Sequence, residues 1–161
     1  MNSAPVKAPH LWIGLSRCHR AVSQIAERSV AEAGLGLSDF AALEALLHKG
    51  PLTITEIQAK VLLASGSMTA AVDRLEAKGL VVRRAAANDR RAKVLELTPQ
   101  GKRVVEAAFR RHAVELEAAM AILNGTEKRQ LYGLLKKLGL FAAEARAETG
   151  RNSETTHRKG D

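Results

Sequence analysis

The sequence predicts a mainly α-helical protein carrying one small β-hairpin. Apolar residues recur at spacings of three and four along most of the 161 residues, the period of a helix face. Glycine, proline and Ser/Thr punctuation cuts that pattern into helix-sized lengths. Only two short stretches, 80–84 and 93–97, carry the Val-rich or alternating pattern of strands. With 46% apolar and 26% charged residues the chain has material for a core and is not compositionally disordered. Its length suits one domain with flexible ends.

Residues 1–9 hold two prolines and no hydrophobic run, and a disordered N-terminus is expected there. Over 10–36, Leu11, Leu15, Cys18, Val22 and Ile25 form a seam of coiled-coil-like period, which implies a partner helix; Gly34 and Gly36 end it. Ser38 is an N-cap candidate for a second helix carrying Phe40, Leu43, Leu46 and Leu47, closed by His48-Lys49-Gly50-Pro51. Thr53 and Glu56 have capping-box spacing and open a short helix with Ile57 and Val61 inward. The run Ser65-Gly66-Ser67 recaps the chain. A further helix then reaches Lys78 and stops at Gly79.

Leu80–Arg84 and Lys93–Leu97 form the hairpin, with Ala87-Asn88-Asp89-Arg90-Arg91 as a charged tip. Thr98-Pro99 supplies a cap and a first-turn proline for a long helix with Val105, Phe109, His112, Leu116 and Leu123 along one side. Asn124-Gly125 is expected to stop it, and Thr126 to cap a last helix striped by Leu131, Leu134, Leu135, Leu138 and Phe141. Residues 147–161 are polar and expected to be a disordered tail.

The net charge of +8 is concentrated. Residues 60–103 hold ten Lys/Arg against four acids, which leaves +6 in that segment. Such a local positive field suits a polyanion. The single cysteine excludes an internal disulfide, no Cys/His cluster has zinc-finger spacing, and a reducing cytoplasm is the expected location. Apolar runs fall well short of the roughly 18 residues of a membrane span. There is no Gly-rich phosphate loop, nucleophile elbow or acid pair, so no enzyme activity, catalytic residue, cofactor or metal is expected. Aromatic residues make up 3% of the chain and are not interleaved with basic ones, which disfavours RNA recognition by base stacking.

A short helix, a turn, a second helix and a two-stranded wing make a winged helix-turn-helix, placed at residues 37–98. Projected at 100° per residue, Met68, Ala71, Val72 and Leu75 share one side of the second helix. Gly66, Thr69, Ala70, Asp73, Arg74 and Ala77 share the other. That small, polar face with one long cation can sink into a major groove and offer donors and a methyl group to base edges. Ser65, Ser67 and Thr69 gather where hydroxyls and free backbone N–H groups bind phosphate. Asp73 orients Arg74 or another arginine, and Lys78 completes the expected DNA-contacting set on this helix. The competing readings are a plain amphipathic surface helix and a sequence-independent architectural DNA binder; Thr69, Ala70 and Arg74 look suited to reading bases instead.

At this level of detail the chain resembles the MarR family of bacterial transcription regulators. The resemblance is carried by Gly50-Pro51-Leu52-Thr53-Ile54-Thr55-Glu56-Ile57, Ser65-Gly66-Ser67-Met68-Thr69, Val72-Asp73-Arg74-Leu75-Glu76, Lys78-Gly79-Leu80-Val81, Arg83, Asp89-Arg90-Arg91 and Leu97-Thr98-Pro99-Gln100-Gly101. It extends in outline from residue 11 to 143. It implies a homodimer, held by the helices of 10–36 and 99–146, that binds a pseudo-palindromic operator in double-stranded DNA. Recognition helices would enter successive major grooves and wing arginines the flanking minor grooves. The wing arginine corresponds to Arg91, with Asp89 bracing it and Arg90 contacting phosphate or pairing with an acid such as Asp73. Repression is the family's commoner mode.

The resemblance also implies a switch. Leu37–Glu44 with His48-Lys49-Gly50-Pro51, and Lys60–Ser67, are similar to the MhqR-type branch, whose repressors respond to quinones and catechols. A small aromatic or phenolic effector is therefore expected, with Trp12, His19, Phe40, His48 and His112 as candidate pocket residues. The alternative switch is oxidation of Cys18, whose sequence neighbours Arg17, His19 and Arg20 would favour a thiolate on approaching it, although the family's redox sensors surround their cysteine with tyrosines and Tyr132 is the only one here. Glu44 with His48, and His112 with Glu115, have helical spacings that suit metal ligands, but nothing in the sequence brings the pairs together.

Overall fold

The computed structural model describes the backbone over 5–61, 66–85 and 93–157, and the side chains of the same residues apart from 66–67 and 146–157. Six helices and one antiparallel strand pair follow in the order α1 (Ala8–Ala31), α2 (Leu37–Lys49), α3 (Ile54–Lys60), α4 (Gly66–Ala77), β1 (Val81–Ala85), β2 (Lys93–Leu97), α5 (Pro99–Ala119) and α6 (Gly125–His157). The chain divides into two compact units, Met1–Ala119 and Met120–Asp161.

In the first unit, the core is drawn from every element that the hydrophobic periodicity picked out. Phe40, Leu43 and Leu46 of α2, Ile57 of α3, and Met68, Val72 and Leu75 of α4 are buried together with Leu80, Val81, Leu95 and Val105. Burial of such side chains contributes roughly 1.5–3 kcal/mol each, so this cluster is what holds α4 and the hairpin in place. The helix α4 ends at Gly79, whose φ of 67° is cheap only for glycine. Its left-handed turn brings the Leu80 N–H to the Leu75 carbonyl at 2.9 Å and starts β1.

The strands pair in the register Val81↔Leu97, Arg83↔Leu95 and Ala85↔Lys93. Leu52 adds a bridge to the other edge of β2, exchanging both backbone hydrogen bonds with Leu95 at 3.2 and 2.8 Å. The hairpin is thereby tied to the chain between α2 and α3. At its base the Thr98 hydroxyl donates to the Gly79 carbonyl at 2.7 Å and accepts from the Gly101 N–H at 2.9 Å, so it caps α5 and fastens that helix to the end of α4. Gly101 is buried there because a Cβ on it would lie 1.9 Å from the Leu80 carbonyl oxygen.

Three local expectations change. Ser38 does not cap α2: the helix starts at Leu37 with Gly36 as N-cap and no side-chain cap bond. Leu35, 4% exposed, already fixes the chain upstream, and the Ser38 hydroxyl instead accepts from Arg74 Nη2 at 3.4 Å. Likewise α5 stops at Ala119, short of Leu123, and Asn124 rather than Thr126 caps α6. Asn124 Oδ1 accepts from the N–H groups of Thr126 and Glu127 at 2.9 and 3.0 Å, while the Glu127 carboxylate accepts from the Asn124 N–H at 2.8 Å. That reciprocal pair is a capping box and requires extended chain before it, which ends α5 early.

The second unit is dominated by α6, which continues past residue 146 to His157. Residues 144–148 hold Ala, Arg and Glu without proline, good helix formers that favour the backbone period.

Candidate nucleic-acid interface

The inward face of α4 is Met68, Ala71, Val72 and Leu75, each 0–1% exposed. Thr69, Ala70, Asp73, Arg74 and Ala77 point outward, as the 100° projection requires. The capping box of α3 sets the preceding helix. Glu56 accepts from the Thr53 backbone N–H at 2.8 Å and the Thr53 hydroxyl at 2.9 Å, and its own N–H returns a bond to Thr53 Oγ1 at 3.2 Å. The Thr53 N–H first, and then its hydroxyl, hold the Glu56 carboxyl below its ordinary pKa.

Each charged residue of α4 has a structural partner. Arg74 reaches back to Asp39 in the first turn of α2, with Nη2 at 2.6 Å and Nε at 3.2 Å from Oδ1. The Asp39 side chain is 4% exposed and that of Arg74 49%. The hydrogen bond and then the charge of Asp39 raise the pKa of Arg74 further. Just past the helix, Lys78 donates to the Gly34 carbonyl at 2.7 Å and lies 3.9 Å from Asp39 Oδ2. Asp73 takes Arg83 at 2.5 Å, and the same guanidinium holds Glu76 at 2.9 Å. Arg84 pairs with Glu96 across the hairpin at 2.9 Å.

The positive segment is therefore partly self-neutralised. Arg83 fastens the base of the wing to α4, and Asp39 with Ser38 fastens α4 to α2. Asp73 does orient an arginine, namely Arg83 and not Arg74. Lys78 serves as a strut to the turn after α1. Ser65 and the wing residues Asp89, Arg90 and Arg91 lie outside the described residues, as does the side chain of Ser67. Asp39, Ser38, Glu76 and Arg83 were not singled out for this site, although Glu76 and Arg83 stood in the quoted family motif and Ser38 and Asp39 in the stretch quoted for the branch; no linear spacing links position 39 to 74.

The candidate effector residues separate into two groups. Phe40, 3% exposed, lies with its ring 4.8 Å from that of His112, and His48 meets Phe109 edge-on at 5.2 Å. The Ser29 hydroxyl donates to the Ala26 carbonyl at 2.7 Å and lies 2.7 Å from His112 Nδ1. The contact ties α1 to α5 through the imidazole. Trp12, 69% exposed, and His19, 3.4 Å from Ser23, belong to the outer part of α1 and do not join that group. Cys18 is exposed beside them. A groove of about 320 Å³ is lined by Ala41, Glu44, Ala45, His48, Lys49, Lys60 and Val61; of the five candidates only His48 reaches it. Among the described residues no three His, Cys, Asp or Glu are placed to hold a metal ion, and no helix is long and apolar enough to cross a membrane.

The chain is similar to known proteins. The MarR family model matches residues 33–92. The HTH-type transcriptional regulator MhqR of Bacillus subtilis is 36% identical over 138 residues, which is 86% of this chain and 95% of that protein. The chain belongs to the MarR family. Solved structures agree on the fold. A probable transcriptional regulator from Pseudomonas aeruginosa superposes with a TM-score of 0.70 at 25% identity, covering 78% of this chain and 94% of that one. BpsR of Bordetella bronchiseptica, whose DNA binding is regulated by 6-hydroxynicotinic acid, gives 0.73 at 22% identity, over 84% and 98%. As a MarR-family protein the chain is a DNA-binding transcriptional regulator and not an enzyme.

Proposed function

We propose that this MarR-family protein is a homodimeric, cytoplasmic repressor that binds a pseudo-palindromic operator and releases it when a small phenolic or quinone-like compound binds. The outward face of α4 carries this reading: Thr69 and Ala70 stand exposed beside an arginine held by a buried acid. Small side chains admit the helix to a major groove, and a placed guanidinium supplies a base-edge donor. An architectural binder would need little there beyond loose positive charge. Two such helices in a dimer would read half-sites roughly 10 bp apart or a multiple of that. In each wing Arg91 would enter a minor groove, braced by Asp89, with Arg90 on phosphate.

Relatedness to MhqR supports a quinone- or catechol-type effector, and BpsR shows an aromatic acid controlling DNA binding in a protein of the same fold. The groove beside His48 is the proposed entry. Footprinting on DNA upstream of the protein's own gene tests the regulator reading. A defined protected palindrome is expected, and uniform coverage would favour an architectural protein. Competition by phenols, quinones, salicylate-like acids and peroxides on that DNA then identifies the effector. Arg91→Ala should lower operator affinity about tenfold or more with dimerisation intact; equal affinity rejects the wing assignment. The exposed Cys18 keeps one second reading open: peroxide release that disappears in Cys18→Ser would make the switch a redox one.

A further inference from the structure

The Arg74 guanidinium is half-exposed on the face of α4 that a duplex would meet, yet it is not a loose surface charge. Its partner, Asp39, belongs to α2 and is 2% exposed. A carboxylate taken out of water is costly unless a cation stays with it, and without Arg74 the buried Asp39 would keep only Lys78, at 3.9 Å and itself engaged by the Gly34 carbonyl, so Arg74 is held in place. The tether has several points. Nε and Nη2 of Arg74 both meet Oδ1, Nη2 also meets Ser38 Oγ, and Lys78, itself held by the Gly34 carbonyl, stands near Oδ2. Nη1 is not spent on Asp39 or Ser38, so it remains for a group outside. A planar fork fixed in this way differs from a mobile ammonium. It presents a donor at a set place, and its charge is largely compensated.

We infer that Asp39 is the positioning residue for sequence reading: from inside the lobe it fixes the Arg74 guanidinium on the outward face of α4 and keeps that cation from acting as a general phosphate contact. This rests on the DNA-binding reading above. A freed cation adds sequence-independent, salt-sensitive affinity; a fixed one adds discrimination between bases. Asp39 therefore trades affinity for any duplex against affinity for the right one.

The full chain is tested on two probes: a duplex enriched from a random pool by the wild-type protein, and the same duplex scrambled. Asp39→Asn should lower affinity for the enriched duplex about tenfold. Affinity for the scrambled duplex should hold or rise, with its salt slope steeper by about one. Arg74→Lys keeps the charge and loses the fork, and is a surface change that does not depend on refilling a buried site. It should lose affinity for the enriched duplex to a similar degree, and adding Asp39→Asn to it should cost nothing further. A parallel fall on both probes in Asp39→Asn, with Arg74→Lys like wild type, would show that Asp39 only holds the fold. Additive losses in the double variant would also overturn the inference. Failure of the wild-type protein to enrich any sequence would instead remove the regulator reading, and this inference with it.

Discussion

The winged lobe and the outer helical segments carry the same kind of apolar stripe and put it to opposite uses. Within the lobe, Leu43, Ile57, Met68, Leu75 and Leu95 are fully buried. Along the N-terminal half of α1, Leu11, Trp12, Ile13 and Leu15 are exposed, and so are Leu131, Leu134, Leu135, Leu138 and Phe141 in α6. Periodicity thus identifies a face without saying what covers it. The lobe covers its own. The two helices keep large apolar patches open in the single chain, which is how interaction surfaces differ from cores. A second copy of the chain is the proposed cover, and the heptad-like spacing of α1 is suited to one.

The largest effect should come from breaking the lobe where it has no room to adjust. In Gly101→Ala the added methyl meets the Leu80 carbonyl oxygen at 1.9 Å. The contact is with the Leu80 backbone, so either α5 or the turn between α4 and β1 must shift, which strains the Thr98 cap that joins them. A loss of about 3 kcal/mol or more is expected, at the upper end of overpacking. Thermal unfolding measures it. A melting temperature like wild type would mean that α5 does not close on the end of α4.

The outer helices should behave in the reverse manner. Leu135→Glu with Leu138→Glu, both on α6 and both exposed in the single chain, should leave the lobe's fold intact while halving the mass in sedimentation. Operator affinity should then fall, because one half-site is held without the other. A protein that remained dimeric would place the interface elsewhere. A protein that unfolded would mean these residues are core after all.

The contrast also explains what was legible in the sequence. The inward and outward faces of α4 were legible, because Met68, Ala71, Val72 and Leu75 obey a rule local to one helix. The Thr53–Glu56 box and the Thr98 cap were legible for the same reason. Contacts across the fold were not. Asp39 to Arg74 spans 35 positions, and which arginine Asp73 would choose depends on where β1 lies against α4. The Leu52–Leu95 bridge has no sequence mark beyond the extended chain after Gly50-Pro51. Asn124 was misread because an Asn-Gly pair reads equally as a stop and as a start, and only the carboxylate of Glu127 three residues on decides between them.

The smallest effect sharpens the comparison from inside the lobe, at a contact that is local and exposed. Glu56 has its pKa lowered from 4.5 by the Thr53 N–H and hydroxyl. A carboxylate whose folded pKa is depressed adds stability at every pH above its unfolded value and loses it as the pH falls through the folded one. Glu56→Gln should therefore melt slightly below wild type at neutral pH, with a gap that narrows under about pH 4.5 and closes in stronger acid. Solvent and salt screen an exposed group, so the gap should stay far smaller than that of Gly101→Ala. Paired melting curves from pH 7 to pH 2 check this. A gap that stays constant or widens in acid would mean that the ionised carboxylate does not hold the start of α3, and the lobe's stability would then rest on its buried side chains alone.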